Sequence, residues 1–279
     1  MDLDDPKKPE FASWRSYQEF AWRVRHTRRY VWDSKIQAFL DTVLATLKDR
    51  DVKISEGTIL CRAQPGVDYH SVEDESGNEI GEEQVGFGPE RMKPLANRAI
   101  EGRANAAGIP VIYLAVSEQT AVSEIRPWVG AAISVAQFKV VRDLRAVNLS
   151  SGHGQTSLAH LTFADLEGTE TPAAQKKETA VWIDIDNAFS RPVTRSDDAA
   201  DYVPTQILAE LFRNAGYEAI IYRSQFVENG YNVAIFDLAD AEAINCAPYE
   251  VTAVEVQYKQ IGNRWFSTKH LESKEKKSH

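Results

Sequence analysis

Two arginines of this sequence stand in segments that would hold a guanidinium rigidly. Arg62 lies inside the apolar, strand-like segment 58–64, and a buried arginine needs an anionic partner because an unpaired buried charge is costly. Arg103 lies in the turn GRANAAG at 102–108, where glycines allow the backbone to approach a ligand closely. Both guanidinium groups fit phosphate contacts. An internal ion pair explains Arg62 equally well, and for Arg103 alone a plain surface turn is the more ordinary interpretation.

A carboxylate, a hydroxyl and an amide add to this set. Glu124 lies near the C-terminal end of a predicted helix, where the helix dipole disfavours a carboxylate by about 0.3–1 kcal/mol. A residue placed against local preference indicates a function, although a surface ion pair with Arg126 would also explain it. Ser224 and Asn232 flank a predicted hairpin loop and should lie close together, either in a site or as loop caps. Tyr113 lies on a predicted strand, where a half-buried structural aromatic is the ordinary interpretation.

Motifs of several other enzyme classes are absent from the sequence. The six histidines show no metal-ligand spacing, and Cys61 and Cys246 are far apart, so we predict no metal site. The chain has no GxSxG, no GxxxxGK[ST], and no GxGxxG that opens a helix after a strand. Any phosphate binding must therefore use something other than a P-loop or Rossmann turn.

Composition limits the partners and the compartment. The chain has 279 residues, 32 Lys and Arg against 41 Asp and Glu, and a net charge of −9, so its surface as a whole should repel nucleic acid and anionic membranes. The N-terminal residues MDLDDPKKPE do not resemble a signal peptide, and no stretch reaches the roughly 18 apolar residues of a membrane span. With two distant cysteines, this composition predicts a cytoplasmic protein.

Periodicity and turn signals predict the elements that position these residues. Several short strands with helices mostly at the edges, and no βαβ series, indicate the α+β class. The segment 66–90 is predicted to be a polar, acidic loop. The segment 151–200 is also polar and is predicted to hold at most one strand, at 180–185. The remaining predictions are helices at 14–32, from 34 onward, 91–101, 117–126 and about 202–215, and strands at 58–64, 110–116, 132–140, 144–149, 217–222 and 232–238.

Five segments, in this order, resemble the RES domain, a family named for its arginine, glutamate and serine. In that family an arginine on a strand is followed by a GRxN turn, a YLA-type strand, an A-x-x-E helix, a Q-x-L-A-E helix, and a Y-x-S that precedes an N-x-A-x-F strand. Each segment alone is weakly specific, whereas the ordered set is fairly specific. The matching segments here are Arg62, GRANAAGIPVIYLA at 102–115, TAVSEIR at 120–126, TQILAELFRNAGYEAIIYRS at 205–224 and NVAIF at 232–236.

The resemblance implies a domain organisation and a fold. Together with the predicted N-terminal helices and a polar C-terminal segment that has little to bury, it divides the chain into a helical N-terminal extension at 1–52, a RES domain at 53–262 and a disordered tail at 263–279. The implied fold is like that of ADP-ribosyltransferase toxins, a split β-core with peripheral helices and a cleft for NAD⁺. Relative to the family, segments 66–90 and 151–200 are enlarged.

The resemblance also assigns site residues. It implies that Arg62, Glu124 and Ser224 are catalytic. We expect Glu124 to stabilise positive charge on the ribose, and Ser224 to position nicotinamide or the acceptor. The expected NAD⁺-binding residues are Arg62 and Arg103 at the diphosphate, Tyr113 at the nicotinamide pocket, and Asn232 beside the serine.

The activity implied is that of a toxin of a toxin–antitoxin pair, which consumes NAD⁺ by breaking the nicotinamide–ribose bond. NAD⁺ is then a substrate, no prosthetic group is expected, and inorganic phosphate is a co-substrate where the reaction is phosphorolysis instead of hydrolysis. The implied partner is a helix-turn-helix (Xre-type) antitoxin, and self-association stays open. Three alternatives also stay open: ADP-ribosylation of a protein, a non-catalytic nucleotide sensor, and an RNA-binding toxin that uses the arginine-rich segment 14–35.

Overall fold

The computed structural model describes residues 9–96, 98–191 and 199–265. Within these ranges the chain forms one eight-stranded sheet and a separate two-stranded sheet. No helix in them is long and apolar enough to cross a membrane. The strands are β1 (Asp51–Ile54), β2 (Ile59–Pro65), β3 (Asp68–Glu73), β4 (Glu79–Val85), β5 (Ile112–Ala115), β6 (Ala132–Val140), β7 (Leu144–Leu149), β8 (Ala219–Arg223), β9 (Tyr231–Ile235) and β10 (Ala241–Glu250).

The large sheet has the order β1-β7-β8-β9-β5-β2-β6-β10, and β7 with β8 is its parallel pair. It consists of two halves. One half runs from β1 to β5 and the other from β2 to β10, and they meet where Cys61 on β2 lies opposite Ala115 on β5. Because this junction is so short, the two halves can diverge and leave room for a ligand. The predicted α+β class, with a split β-core and peripheral helices, is confirmed.

Four helices pack on the half of the sheet that contains β7, β8 and β9. The helices of the described ranges are α1 (Ser16–His26), α2 (Ser34–Thr46), α3 (Pro89–Met92), α4 (Glu118–Glu124), α5 (Phe163–Glu167), α6 (Ala174–Ser190) and α7 (Val203–Asn214). Buried apolar residues of α1, α2, α6 and α7 form one continuous core with residues of β7, β8 and β9. The two N-terminal helices therefore dock on the helical layer, since α1 packs on α6 and α7, α2 packs on α7, and the two pack on each other.

Local signals explain where several elements begin and end. The carboxylate of Asp33 caps α2 by accepting hydrogen bonds from the backbone N–H groups of Lys35 and Ile36, at 3.1 and 3.0 Å. Pro204 lies in the first turn of α7, where its missing N–H has little consequence. Gly216 follows α7 with φ +85°, a left-handed conformation that suits glycine. The predicted hairpin of β8 and β9 is confirmed, with Tyr222 opposite Asn232.

Other predictions were wrong. The segment 66–90 is not a loop, because β3 and β4 pair in it as an antiparallel hairpin. Its strands are mostly exposed and polar on both faces, so they lack the alternation of apolar and polar residues that marks a half-buried strand. The helix predicted at 91–101 ends at Met92, because Pro94 forces the preceding Lys93 into an extended conformation with ψ 152°.

The strand predicted at 180–185 was also wrong. These residues lie in the 17-residue helix α6, which is buried on most of its sides. A helix without a broad polar face loses its amphipathic period, and its apolar run VWIDI then resembles a strand. The helix predicted at 14–32 stops at His26, and the edge strands β1 and β10 were not predicted. Of the predicted tail at 263–279, all but residues 263–265 lie outside the described ranges.

Candidate active site

A cavity of about 360 Å³ opens where the two halves of the sheet meet. Strands from both halves line it, together with α4 and the turn at 102–103. Five of the six predicted site residues contribute to its walls, and the sixth, Ser224, contacts one of those five. The residues that line it include Arg62, Arg103, Tyr113, Glu124, Arg126, Tyr222 and Asn232.

The guanidinium of Arg62 has no hydrogen-bond or ion-pair partner among the described residues. The residue lies on β2 between the buried residues Cys61 and Ala63. Its Nη1 is buried and has no hydrogen-bond partner, and the arginine forms no ion pair within the described ranges. Burial lowers the pKa of Arg62 to about 10, so the group is still charged at neutral pH. An internal ion pair, the alternative left open by the sequence, is not present there.

The turn that carries Arg103 is held by a hydrogen-bond network. Asn105 is buried, and its Nδ2 donates to the carbonyl oxygens of Ile100 and Ile109, at 2.9 and 2.8 Å. The hydroxyl of Tyr113 donates to Asn105 Oδ1 at 2.7 Å and accepts from the N–H of Ala104 at 2.9 Å. Tyr113 thus lines the cavity and also fixes the turn.

Gln206 of α7 ties the same turn to the helical layer. Its Nε2 donates to the carbonyl oxygens of Gly102 and Asn105, at 3.0 and 2.9 Å. The turn therefore presents Arg103 from a rigid backbone. The Cζ of Arg103 lies 5.7 Å from the ring centroid of Tyr222, and this arginine has no ion-pair partner in the described part of the chain. Burial raises the pKa of Tyr222 to about 12, although the nearby guanidinium opposes the shift, so this phenol is neutral at pH 7.

Gly102 gives a test of this rigid turn. A Cβ at this position would lie 2.6 Å from the Tyr113 hydroxyl oxygen and 2.9 Å from Asn105 Oδ1, so Gly102→Ala must displace the network. We expect a loss of about 1–3 kcal/mol in the free energy of unfolding, the usual range when a buried hydrogen bond is broken. Denaturant unfolding measures it. Gly81→Ala is the control, because a Cβ added there would meet no atom within 4 Å and should change stability little. Equal stability of the two variants would contradict the described network.

Glu124 is held by the two residues from the hairpin of β8 and β9. Its Oε1 accepts hydrogen bonds from Ser224 Oγ at 2.8 Å and from Asn232 Nδ2 at 2.6 Å. Ser224 and Asn232 are both only 4% exposed, so the two donors have fixed positions. The Oε2 of Glu124 has no hydrogen-bond partner among the described residues and stays available to a ligand. The alternative ion pair between Glu124 and Arg126 does not form.

Helix α4 places this carboxylate over the junction of the two halves of the sheet. The hydroxyl of Ser117 caps the helix by accepting from the N–H of Thr120 at 3.2 Å. The helix contacts β2, β5 and β6, and Ala121 is buried against the small core at the junction. Glu124 thus faces the same cavity as Arg62, so two of the three residues predicted to be catalytic line one cavity.

Positively charged side chains outnumber negatively charged ones on the wall of the cavity. Three arginines, Arg62, Arg103 and Arg126, line it, and none is paired with a carboxylate in the described ranges, whereas Glu124 is the carboxylate that lines it. In a chain of net charge −9, such a local excess of cations suits a ligand that carries negative charge. Among the same residues, no three histidines, cysteines, aspartates or glutamates lie together in a way that could hold a metal ion.

Several residues of the site were not singled out from the sequence. Asn105 and Gln206 fix the turn of Arg103, and Tyr222 lies beneath that guanidinium. Asn105 stands in GRAN and Gln206 in TQILAE, so the motif segments contained a signal for both. Their partners lie up to 104 positions away, and those contacts cannot be inferred from local patterns.

Comparisons with known proteins identify the family of the chain. The model of the RES domain family matches residues 84–258, and the chain belongs to that family. The matched range includes every predicted site residue except Arg62, which lies upstream of it. No curated protein matches. Among solved structures, the M.tuberculosis MbcT-MbcA toxin-antitoxin complex contains a similar chain, with 14% sequence identity, 73% of this chain and 90% of that chain covered, and a TM-score of 0.36.

Proposed function

We propose that the cavity binds NAD⁺ and that the chain breaks its nicotinamide–ribose bond, so that it acts as an NAD⁺-consuming toxin. One observation carries the proposal. Arg62, whose guanidinium has no partner among the described residues, and Glu124, whose Oε2 accepts no hydrogen bond from them, line one cavity. A dinucleotide offers an interaction partner to each of these two groups. Its diphosphate is an anion for the guanidinium, and its ribose becomes positively charged as nicotinamide leaves.

In the proposed mechanism the arginines bind and the glutamate acts on the sugar. Arg62 and Arg103 contact the diphosphate, since a planar guanidinium can donate two parallel hydrogen bonds to phosphate oxygens. Departure of nicotinamide leaves an oxocarbenium-like ribose, and the carboxylate of Glu124 stabilises that charge. Its free Oε2 can also accept a hydrogen bond from a ribose hydroxyl. This fixed negative charge lowers the barrier without forming a covalent bond to the protein.

The hydrogen bonds change the roles that we propose for Ser224 and Asn232. Both side chains are buried and donate to Glu124, so we propose that they orient the carboxylate. Ser224 is then a positioning residue, and no histidine of the described ranges forms a hydrogen bond with it that would activate it as a nucleophile. Tyr113 keeps a double role, since it lines the cavity while its hydroxyl holds the turn of Arg103.

The direct test is to mix the purified chain with NAD⁺, with and without inorganic phosphate, and to measure nicotinamide release. We expect release, with ADP-ribose-1″-phosphate as the second product if phosphate is the acceptor and ADP-ribose if water is. Label transferred from NAD⁺ to a protein would show ADP-ribosylation instead. Binding of NAD⁺ without release would show a sensor. If NAD⁺ neither binds nor disappears while RNA changes on expression, the proposal is wrong.

The proposed partner is an antitoxin with an Xre-type helix-turn-helix domain, acting in the cytoplasm where the NAD⁺ pool lies. This part rests on membership of the RES family. An antitoxin that covers the cavity should abolish nicotinamide release in the assay above. Size measurements in solution can test whether the chain self-associates.

A further inference from the structure

Arg126 has an unusual backbone. Its φ is +48°, and the other described non-glycine residue with a positive φ is Asn229. This left-handed conformation brings Cβ close to backbone atoms, and asparagine tolerates it better than arginine does. The position ends α4 just before Pro127, and the conformation is unfavourable for an arginine. A glycine would adopt this conformation without strain, so the presence of an arginine points to a role for its side chain.

The side chain of Arg126 is a cation without an anionic partner. It is exposed and lines the cavity, and in the described ranges it forms no ion pair and no side-chain hydrogen bond. Its Cζ lies 4.9 Å from the ring centroid of Phe226, a residue 40% exposed. The ring supports the guanidinium on one face and leaves its N–H groups free to donate. Arg62, in contrast, is mostly buried, so Arg126 stands at the outer end of the same cavity.

We infer that Arg126 is a third anion-binding residue, which contacts a phosphate group of the dinucleotide at the mouth of the cavity. This inference rests on the proposed function, because it assigns a further contact to the same ligand. Arg62 and Arg103 hold the diphosphate from strand β2 and from the turn, and Arg126 holds it from the end of α4. The unfavourable backbone persists because it directs a guanidinium over Phe226 toward the ligand.

The test uses ADP-ribose as the probe, since it carries the diphosphate but no nicotinamide and its binding needs no turnover. Calorimetry should show about tenfold weaker binding to Arg126→Gly than to the unmodified chain, the usual effect of losing one exposed charge-assisted hydrogen bond. The affinity of Arg126→Lys for ADP-ribose should lie between those of the unmodified chain and Arg126→Gly. The Tm of Arg126→Gly should be no lower than that of the unmodified chain, because glycine suits the backbone. Asn229→Gly is the matched control. It relieves the other positive φ without removing a cation, and should bind ADP-ribose normally.

Cleavage assays separate an anion contact from an indirect effect. Arg126→Gly should lower kcat/KM for NAD⁺ but not for nicotinamide riboside, which has the same scissile bond and no phosphate. Equal losses for both substrates would mean that Arg126 acts through Phe226 and Ser224, and would overturn the inference, as would undiminished ADP-ribose binding by Arg126→Gly. If the unmodified chain neither binds ADP-ribose nor releases nicotinamide, the proposed function itself has failed.

Discussion

Glu124→Gln is expected to lower the rate of nicotinamide release by about 100- to 1000-fold, the usual effect of removing one charge-stabilising group from an active site. Glutamine keeps the shape of the side chain, and its Oε1 can still accept from Ser224 and Asn232. The hairpin and α4 should therefore stay in place. What is lost is the negative charge that faces the ribose. The affinity for NAD⁺, measured by calorimetry, should change little, because the charge is needed mainly in the transition state.

Glu118→Gln is the matched control for this substitution. Glu118 lies on the same helix, is exposed, and does not line the cavity. Its removal should leave both rate and affinity unchanged, so a net-charge effect can be separated from a local one. If Glu124→Gln released nicotinamide at the normal rate, Glu124 could not be the charge-stabilising group and the mechanism proposed here would be wrong.

Arg62→Met is expected to weaken the binding of ADP-ribose strongly and yet to stabilise the fold. The buried Nη1 has no hydrogen-bond partner, and a buried donor in this state destabilises a protein by about 1–3 kcal/mol. Methionine keeps much of the apolar stem without the charge, so we expect a gain of about 1 kcal/mol in the free energy of unfolding. Affinity for ADP-ribose should fall by about 2 kcal/mol or more, which is at least about 30-fold. Denaturant unfolding and calorimetry measure the two effects.

A gain in the free energy of unfolding together with a loss of affinity for ADP-ribose would distinguish a binding residue from a structural one. Arg145→Met is the control, because Arg145 is a strand arginine that pairs with Asp51 and lies away from the cavity. That variant should bind ADP-ribose normally and should not gain stability. A marked loss of stability in Arg62→Met would instead show that its guanidinium supports the fold, and would leave the diphosphate without its proposed main contact.

Local patterns predicted many elements of this fold but failed in two recognisable settings. The strands β2, β5, β8 and β9 and the helices α4 and α7 follow from their apolar spacing, caps and turn residues. Helix α6 was missed because nearly all of its sides are buried. The hairpin of β3 and β4 was missed because nearly all of its residues are exposed. In both settings the burial is uniform around the element, so the sequence carries little periodic signal.

The sequence by itself determined which residue types stand on which elements, and the order of the motifs that places the chain in the RES family. Those features depend on neighbours within a few positions. Only the tertiary structure decided which side chains meet. Glu124 receives its hydrogen bonds from residues 100 and 108 positions away, and Arg62 is partnerless because no acidic side chain in the described ranges reaches it. Sheet order and register bring these residues to one cavity, and they depend on packing across the whole domain, which no local pattern contains.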